Sequence, residues 1–101
     1  MLNKRFFKTV SECEVTFRVA PEGASEVALL TAANNWTPIP MRRGKSGDFQ
    51  ARLRLPLDQR IQFRYLVDGD RWINDEAADA YVPNEHGSEN SIVDTTRQAG
   101  S

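Results

Sequence analysis

Apolar and polar residues alternate one for one over three stretches of this chain. In Glu14-Val15-Thr16-Phe17-Arg18-Val19 the apolar positions recur every second residue, the period of a half-buried strand with Val15 and Phe17 inward. Phe49, Ala51, Leu53 and Leu55 alternate with Gln50, Arg52 and Arg54. Ile61, Phe63, Tyr65 and Val67 alternate with Gln62, Arg64 and Leu66. Only Pro56 to Gln59 separate the last two stretches, so the pattern predicts a hairpin with its apolar faces in the core and Arg52, Arg54 and Arg64 on its other face. Val27 to Leu30 predicts a short strand, Arg71 to Asn74 a return strand after the tight-turn pair Asp68-Gly69, and Ser91-Ile92-Val93 a last strand.

Turn chemistry fills the gaps. Pro21 to Ser25 and Lys45 to Asp48 read as turns, and Pro38 and Pro40 are expected to keep their loop out of regular pairing. Asp75 to Glu89 is acidic and turn-like, with Pro83, Asn84 and Gly87. No helical period and no internal repeat stands out. Short strands at this spacing predict an all-β, immunoglobulin-like β-sandwich of about seven short strands. The organisation read from the pattern is an N-terminal arm or edge strand over 1–12, one domain over 13–95, and a frayed tail from about Thr95, flexible over 96–101.

Composition narrows the class. The chain has 101 residues, 40% hydrophobic and 27% charged, ordinary for one globular domain. No apolar run is long enough to cross a bilayer, and no apolar core follows the basic N-terminus, which argues against export by a signal peptide. The one cysteine, Cys13, falls in step with Val15 and Phe17 and reads as a small buried hydrophobe. These features fit a cytoplasmic protein that engages no membrane. A net charge of −1 argues against a general nucleic-acid binder. Charge is uneven all the same. Arg42 to Arg71 holds eight basic and four acidic residues, whereas Trp72 to Asp94 holds six acidic and no basic ones, an arrangement expected of strand faces that pair in the fold.

Candidate chemistry gathers at two places. Ala33-Asn34-Asn35-Trp36-Thr37-Pro38 and Asp68-Gly69-Asp70-Arg71-Trp72 each set a Trp beside turn residues, and they hold both Trp residues of the chain. Flat aromatics on loops flanked by Asn, Asp and Arg suit a sugar ring, whose C–H face packs on an indole while its hydroxyls need hydrogen bonds. Arg64 projects outward by alternation and can donate several; Asn90 can donate and accept. For each Trp alone, capping one end of a sandwich is about as good a reading, and for Arg64 alone, pairing with an acid across the sheet. Catalysis has little support. No carboxylate pair is singled out, and Asp68-x-Asp70 fails as a calcium loop because Ile73 and Asp79 occupy the Gly and Glu positions. Neither a metal nor a cofactor is called for. Asn35-Trp36-Thr37 matches a glycosylation sequon that carries no weight without a signal peptide.

The order of these features resembles the family 48 carbohydrate-binding modules, which include isoamylase N-terminal early-set domains and the glycogen-binding domain of the AMP-activated protein kinase β subunit. The resemblance rests on Asn34-Asn35-Trp36 with Pro40-Met41, Phe49 to Pro56, Gln62 to Trp72, and Gly87 to Val93, and spans roughly residues 14–94. It implies an early-set β-sandwich that binds an α-1,4-glucan such as glycogen or maltooligosaccharide without catalysis, with a glucan-metabolising enzyme as a further partner. Carried over by position, it implies carbohydrate-binding roles for Trp36, Arg64, Trp72, Ser88 and Asn90. Arg64 stands where the family has a Lys, and Ser88 where it has a Thr. Thr31-Ala32-Ala33, His86 and one extra residue between Gly69 and Trp72 depart from the kinase-type pattern. An alternative in a different class is a protein-interaction or scaffold sandwich that kept the fold and lost the sugar. An enzyme fragment is the least favoured expectation, since Met1 and the tails read as a whole small protein.

Overall fold

The computed structural model describes residues 2–7 and 9–96. The chain forms two antiparallel sheets packed face to face. One has the order β1-β2-β6-β5, from Leu2–Phe6, Glu12–Val19, Phe49–Pro56 and Arg42–Arg43. The other runs β4-β3-β7-β10-β9, from Ile39–Pro40, Val27–Thr31, Arg60–Val67, Glu89–Asp94 and Ala80–Pro83, and β8 (Arg71–Ile73) also pairs with β7. Seven of these strands have four residues or more, so the expected all-β, immunoglobulin-like sandwich is what the chain builds.

Residues of strand period supply both inner faces. Cys13, Val15 and Phe17 of β2 are fully buried, as are Phe63 and Tyr65 of β7. The Phe17 and Phe63 rings meet edge to face across the two sheets at 5.0 Å, and Phe63 meets Tyr65 the same way at 5.7 Å. Partly buried Leu2 and Phe6 of β1 pack on this core. The guanidinium groups of Arg5 and Arg54 lie over the ring of Phe7, at 5.4 and 4.5 Å.

The predicted hairpin does not form. β6 pairs with β2 and β5, whereas β7 pairs with β3, β10 and β8 in the other sheet. Between them the chain is drawn across the sandwich. Leu57 N–H donates to Ser11 O, Asp58 N–H donates to Thr95 O, and Asp58 takes a positive φ of 60°. Alternation shows which face of a strand is apolar, and two apolar faces meet equally well within one core from neighbouring strands or from opposed sheets. In consequence Arg52 and Arg54 lie on the opposite outer face from Arg64, where they approach Glu14 and Glu12 at 3.8 and 3.6 Å.

Three further expectations are corrected. Ile39–Pro40 does pair, with Leu29 and Ala28, but as an edge strand, where a proline need not donate to a neighbour. The acidic, turn-like segment contains β9, which pairs along β10; its turn residues flank the strand instead of replacing it. Thr95 is fully buried, with its hydroxyl donating to Pro56 O at 2.7 Å and accepting from Gln59 N–H at 3.0 Å, so fraying cannot begin there. Arg97 to Ser101, most of the tail expected over 96–101, lie outside the described residues.

The turn between β7 and β8 is locked from a distance. Asp68 and Gly69 both have positive φ, 52° and 77°, and Asp68 Oδ1 accepts from the backbone N–H groups of Ser25 and Glu26, each at 2.9 Å. These two bonds, Glu26 first, hold the Asp68 carboxyl below its ordinary value of 3.8, with the Arg71 charge a smaller cause. Asp94 is lowered too, chiefly by the backbone and hydroxyl of Thr96. A carboxylate whose folded pKa is depressed contributes stability that is complete above its unfolded pKa and is lost as pH falls through the folded value. The thermal midpoint is therefore expected to hold from pH 7 down to about pH 5 and to drop below about pH 4. Asp68→Asn should lower it at pH 7 and converge with the wild type in acid. Parallel curves down to pH 2 would remove Asp68 from that role.

Candidate functional site

The outer face of the second sheet carries a cleft of about 770 Å³, and β7 supplies its floor. Gln62 and Arg64 occupy alternate outward positions on this strand and both line the cleft. β3 covers one edge of β7, with Leu30 opposite Arg64. The other edge is shared, by β10 along Arg60 to Phe63 and by β8 along Tyr65 to Val67. Trp72 of β8 and Asn90 of β10 thereby come to the same side of one strand, while the loop after β3 brings Trp36 from the opposite side.

That loop is shaped by its backbone. Thr31, buried, caps a single 3-10 turn (Ala32–Asn34) by accepting the N–H of Ala33 at 3.1 Å. Asn35 and Trp36 follow at φ 59° and 60°, and Trp36 N–H returns to Thr31 O at 2.9 Å. A left-handed conformation at so bulky a residue costs on the order of 1–3 kcal/mol and persists only where the surroundings impose it. Its result is that Trp36 stands 37% exposed at the cleft, facing the same space as Trp72, which is 46% exposed. Neither indole is buried as an end cap of the core.

Arg64 lies with its Cζ 5.5 Å from the centre of the Trp72 ring. It has no acid partner among the described residues, and its buried Nε has no hydrogen-bond partner. Among the described residues the cross-sheet acid pairing open to such a residue is absent, and Arg64 instead lines the cleft against Trp72. Asn90 is nearly buried and bonded on both sides. Its Nδ2 donates to Gln62 Oε1 at 2.8 Å and its Oδ1 accepts from Asn84 Nδ2 at 3.1 Å.

Four of the five sequence-derived site residues, Trp36, Arg64, Trp72 and Asn90, line one cleft. Ser88 sits in the same loop but not on the lining; its backbone N–H bonds Asn84 Oδ1 at 3.1 Å and its side chain is exposed. His86, one of the departures from the kinase-type pattern, is on the lining beside Glu85. Gln62, Asn84 and Leu30 were missed. For Gln62 the signal was present, since two residues along a strand from Arg64 is the same face. Asn84 gave none, because its place depends on the loop closing onto β10. Among the described residues no group of three His, Cys, Asp or Glu side chains is arranged to hold a metal, and no helix is long and apolar enough to cross a membrane.

No protein-family profile matches the chain. No curated protein matches it either. Solved structures do, at the level of the fold. The ferric enterobactin esterase of Salmonella typhimurium superimposes with a TM-score of 0.75 at 11% identity, over 93% of this chain and 34% of that one. The enterobactin esterase of Shigella flexneri gives 0.71 at 15%, over 93% and 32%. A pullulanase of Paenibacillus barengoltzii, solved with maltotetraose, gives 0.54 at 22%, over 93% and 15%. Identities this low speak for a shared sandwich alone. The chain spans about a third of each esterase and less of the pullulanase, so it corresponds to one part of these enzymes.

Proposed function

We propose that this protein is a non-catalytic carbohydrate-binding module of the family 48 type, and that the cleft takes an α-1,4-glucan such as a maltooligosaccharide or a glycogen chain. One observation carries the reading. Two exposed indoles, brought by separate elements to the two sides of one strand, flank a floor made of Arg64, Gln62 and Asn90. Two platforms of this kind accept the C–H faces of successive sugar units, and the polar floor keeps their hydroxyls bonded. The pullulanase solved with maltotetraose adds support, because it contains the same sandwich at 22% identity.

The test is a titration with maltoheptaose or β-cyclodextrin, followed by amide and indole NMR shifts, with a cellulose oligomer as control. We expect saturable shifts at Trp36, Trp72, Arg64 and Asn90, absent with the control, and a dissociation constant on the order of micromolar to millimolar. No response at millimolar α-glucan would overturn the proposal and transfer it to a sandwich that binds protein partners.

A further inference from the structure

Three side-chain amides in the cleft form a relay whose direction is set by the backbone. Asn84 Oδ1 accepts from the backbone N–H groups of His86 and Ser88, at 2.9 and 3.1 Å. Backbone N–H groups only donate, so that terminal atom of Asn84 must be the oxygen. The Nδ2 of Asn84 is then the end that meets Asn90, at 3.1 Å, and it requires the oxygen of Asn90 in return. Asn90 is left to donate through Nδ2 to Gln62 Oε1, at 2.8 Å. Gln62 ends the relay with its Nε2, which makes no hydrogen bond among the described residues and belongs to a side chain on the cleft lining.

The consequence is a floor of one polarity. Gln62 has its acceptor occupied by Asn90 and both N–H donors to spare. Arg64 beside it can only donate, and its Nε has no hydrogen-bond partner.

We propose that Gln62 is a ligand-contacting residue and that the Asn84–Asn90–Gln62 relay holds it as a donor, so that the floor selects ligands presenting acceptor oxygens between the two indoles. In an oligosaccharide the ring and bridging acetal oxygens are of this kind, since they carry lone pairs and no hydrogen. This rests on the α-glucan reading and adds to it which kind of sugar oxygen faces the floor.

Near-isosteric replacements separate the parts. Gln62→Glu keeps an oxygen for Asn90 and exchanges the donor for an acceptor. Gln62→Met removes the donor without adding charge. Asn84→Asp still accepts from His86 and Ser88 but cannot donate to Asn90, so Asn90 turns over and Gln62 presents its oxygen to the cleft. Each variant is titrated with maltoheptaose while the indole signals and the side-chain amide signals of Gln62 and Asn90 are followed. All three variants are expected to stay folded and to bind roughly three- to tenfold more weakly, the worth of a hydrogen bond or two. In the wild type the Gln62 amide should shift on binding, and in Asn84→Asp that shift should be lost. Wild-type affinity in Gln62→Met together with Asn84→Asp, or a Gln62 amide that stays still while the indoles move, overturns the proposal. Indoles that stay still in the wild type overturn the glucan reading itself, and the ligand contact with it.

Discussion

Replacing Asp75 by Ala is expected to cost about 3 kcal/mol of unfolding free energy, the scale of opening a buried hydrogen-bond network. The residue sits in the acidic stretch whose composition reads as surface, yet it is 1% exposed. Its Oδ2 accepts from the Tyr65 hydroxyl at 2.7 Å and its Oδ1 from Ala77 N–H at 2.8 Å. Its own N–H donates to Ser91 Oγ at 3.0 Å, and its carbonyl accepts from the Tyr81 hydroxyl. Tyr65 is the largest fully buried side chain of the core. Burial first, then its hydrogen bond to Asp75 and the Asp75 charge, push its phenol far above the ordinary range, so it stays neutral wherever the protein is folded.

Truncation to Ala leaves that hydroxyl and the Ala77 N–H without partners in the interior, which costs more than the bonds themselves contribute. The same network extends to the strands that border the cleft. Ser91 Oγ donates to Asn74 Oδ1 at 2.8 Å, and Asn74 Nδ2 donates to Glu89 O at 2.9 Å, which ties the end of β8 to the start of β10. Urea unfolding at pH 7 measures the effect. A loss under about 1 kcal/mol would mean that water reaches the network and that the carboxylate is dispensable.

The second large effect is on binding. Trp36→Ala with Trp72→Ala is expected to weaken maltoheptaose roughly a hundredfold, from about 1–2 kcal/mol for each platform. Both indoles stand outside the main core and are more than a third exposed, so the circular dichroism spectrum and cooperative unfolding should survive. Calorimetric titration against the folded double variant checks it. Affinity within threefold of the wild type would assign the indoles to the sandwich and leave the polar floor as the only candidate contact.

Much of the site was legible before the fold was known. Trp36 and Trp72 were identifiable because a large aromatic among turn residues has nowhere to be buried, and Arg64 because alternation with Phe63 and Tyr65 turns it outward. Asn84 and Asp75 were not legible. Each looks like a turn residue, and its role comes from partners six or more positions away, Asn90 for one and Tyr65, Tyr81 and Ser91 for the other. Gln62 lies between these cases. Its face could be read from the period, and its function as a donor depends on a bond to Asn90, 28 positions on.

The sequence by itself determined the β class, the inward sets led by Val15, Phe17, Phe63 and Tyr65, the burial of Cys13, and the outward exposure of the two indoles beside turn residues. These are local matters, governed by a period of two and by the turn preferences of Gly, Asn, Asp and Pro. Tertiary structure decided which strands pair. It sent β6 and β7 to opposite sheets, put Arg52 and Arg54 on the far side from Arg64, drew β9 out of an acidic stretch, and brought the Trp36 loop and the Trp72 strand to one cleft. Periodicity orients a side chain relative to its own strand, whereas pairing is chosen by the burial of all the apolar faces together, and no short window of sequence contains that sum.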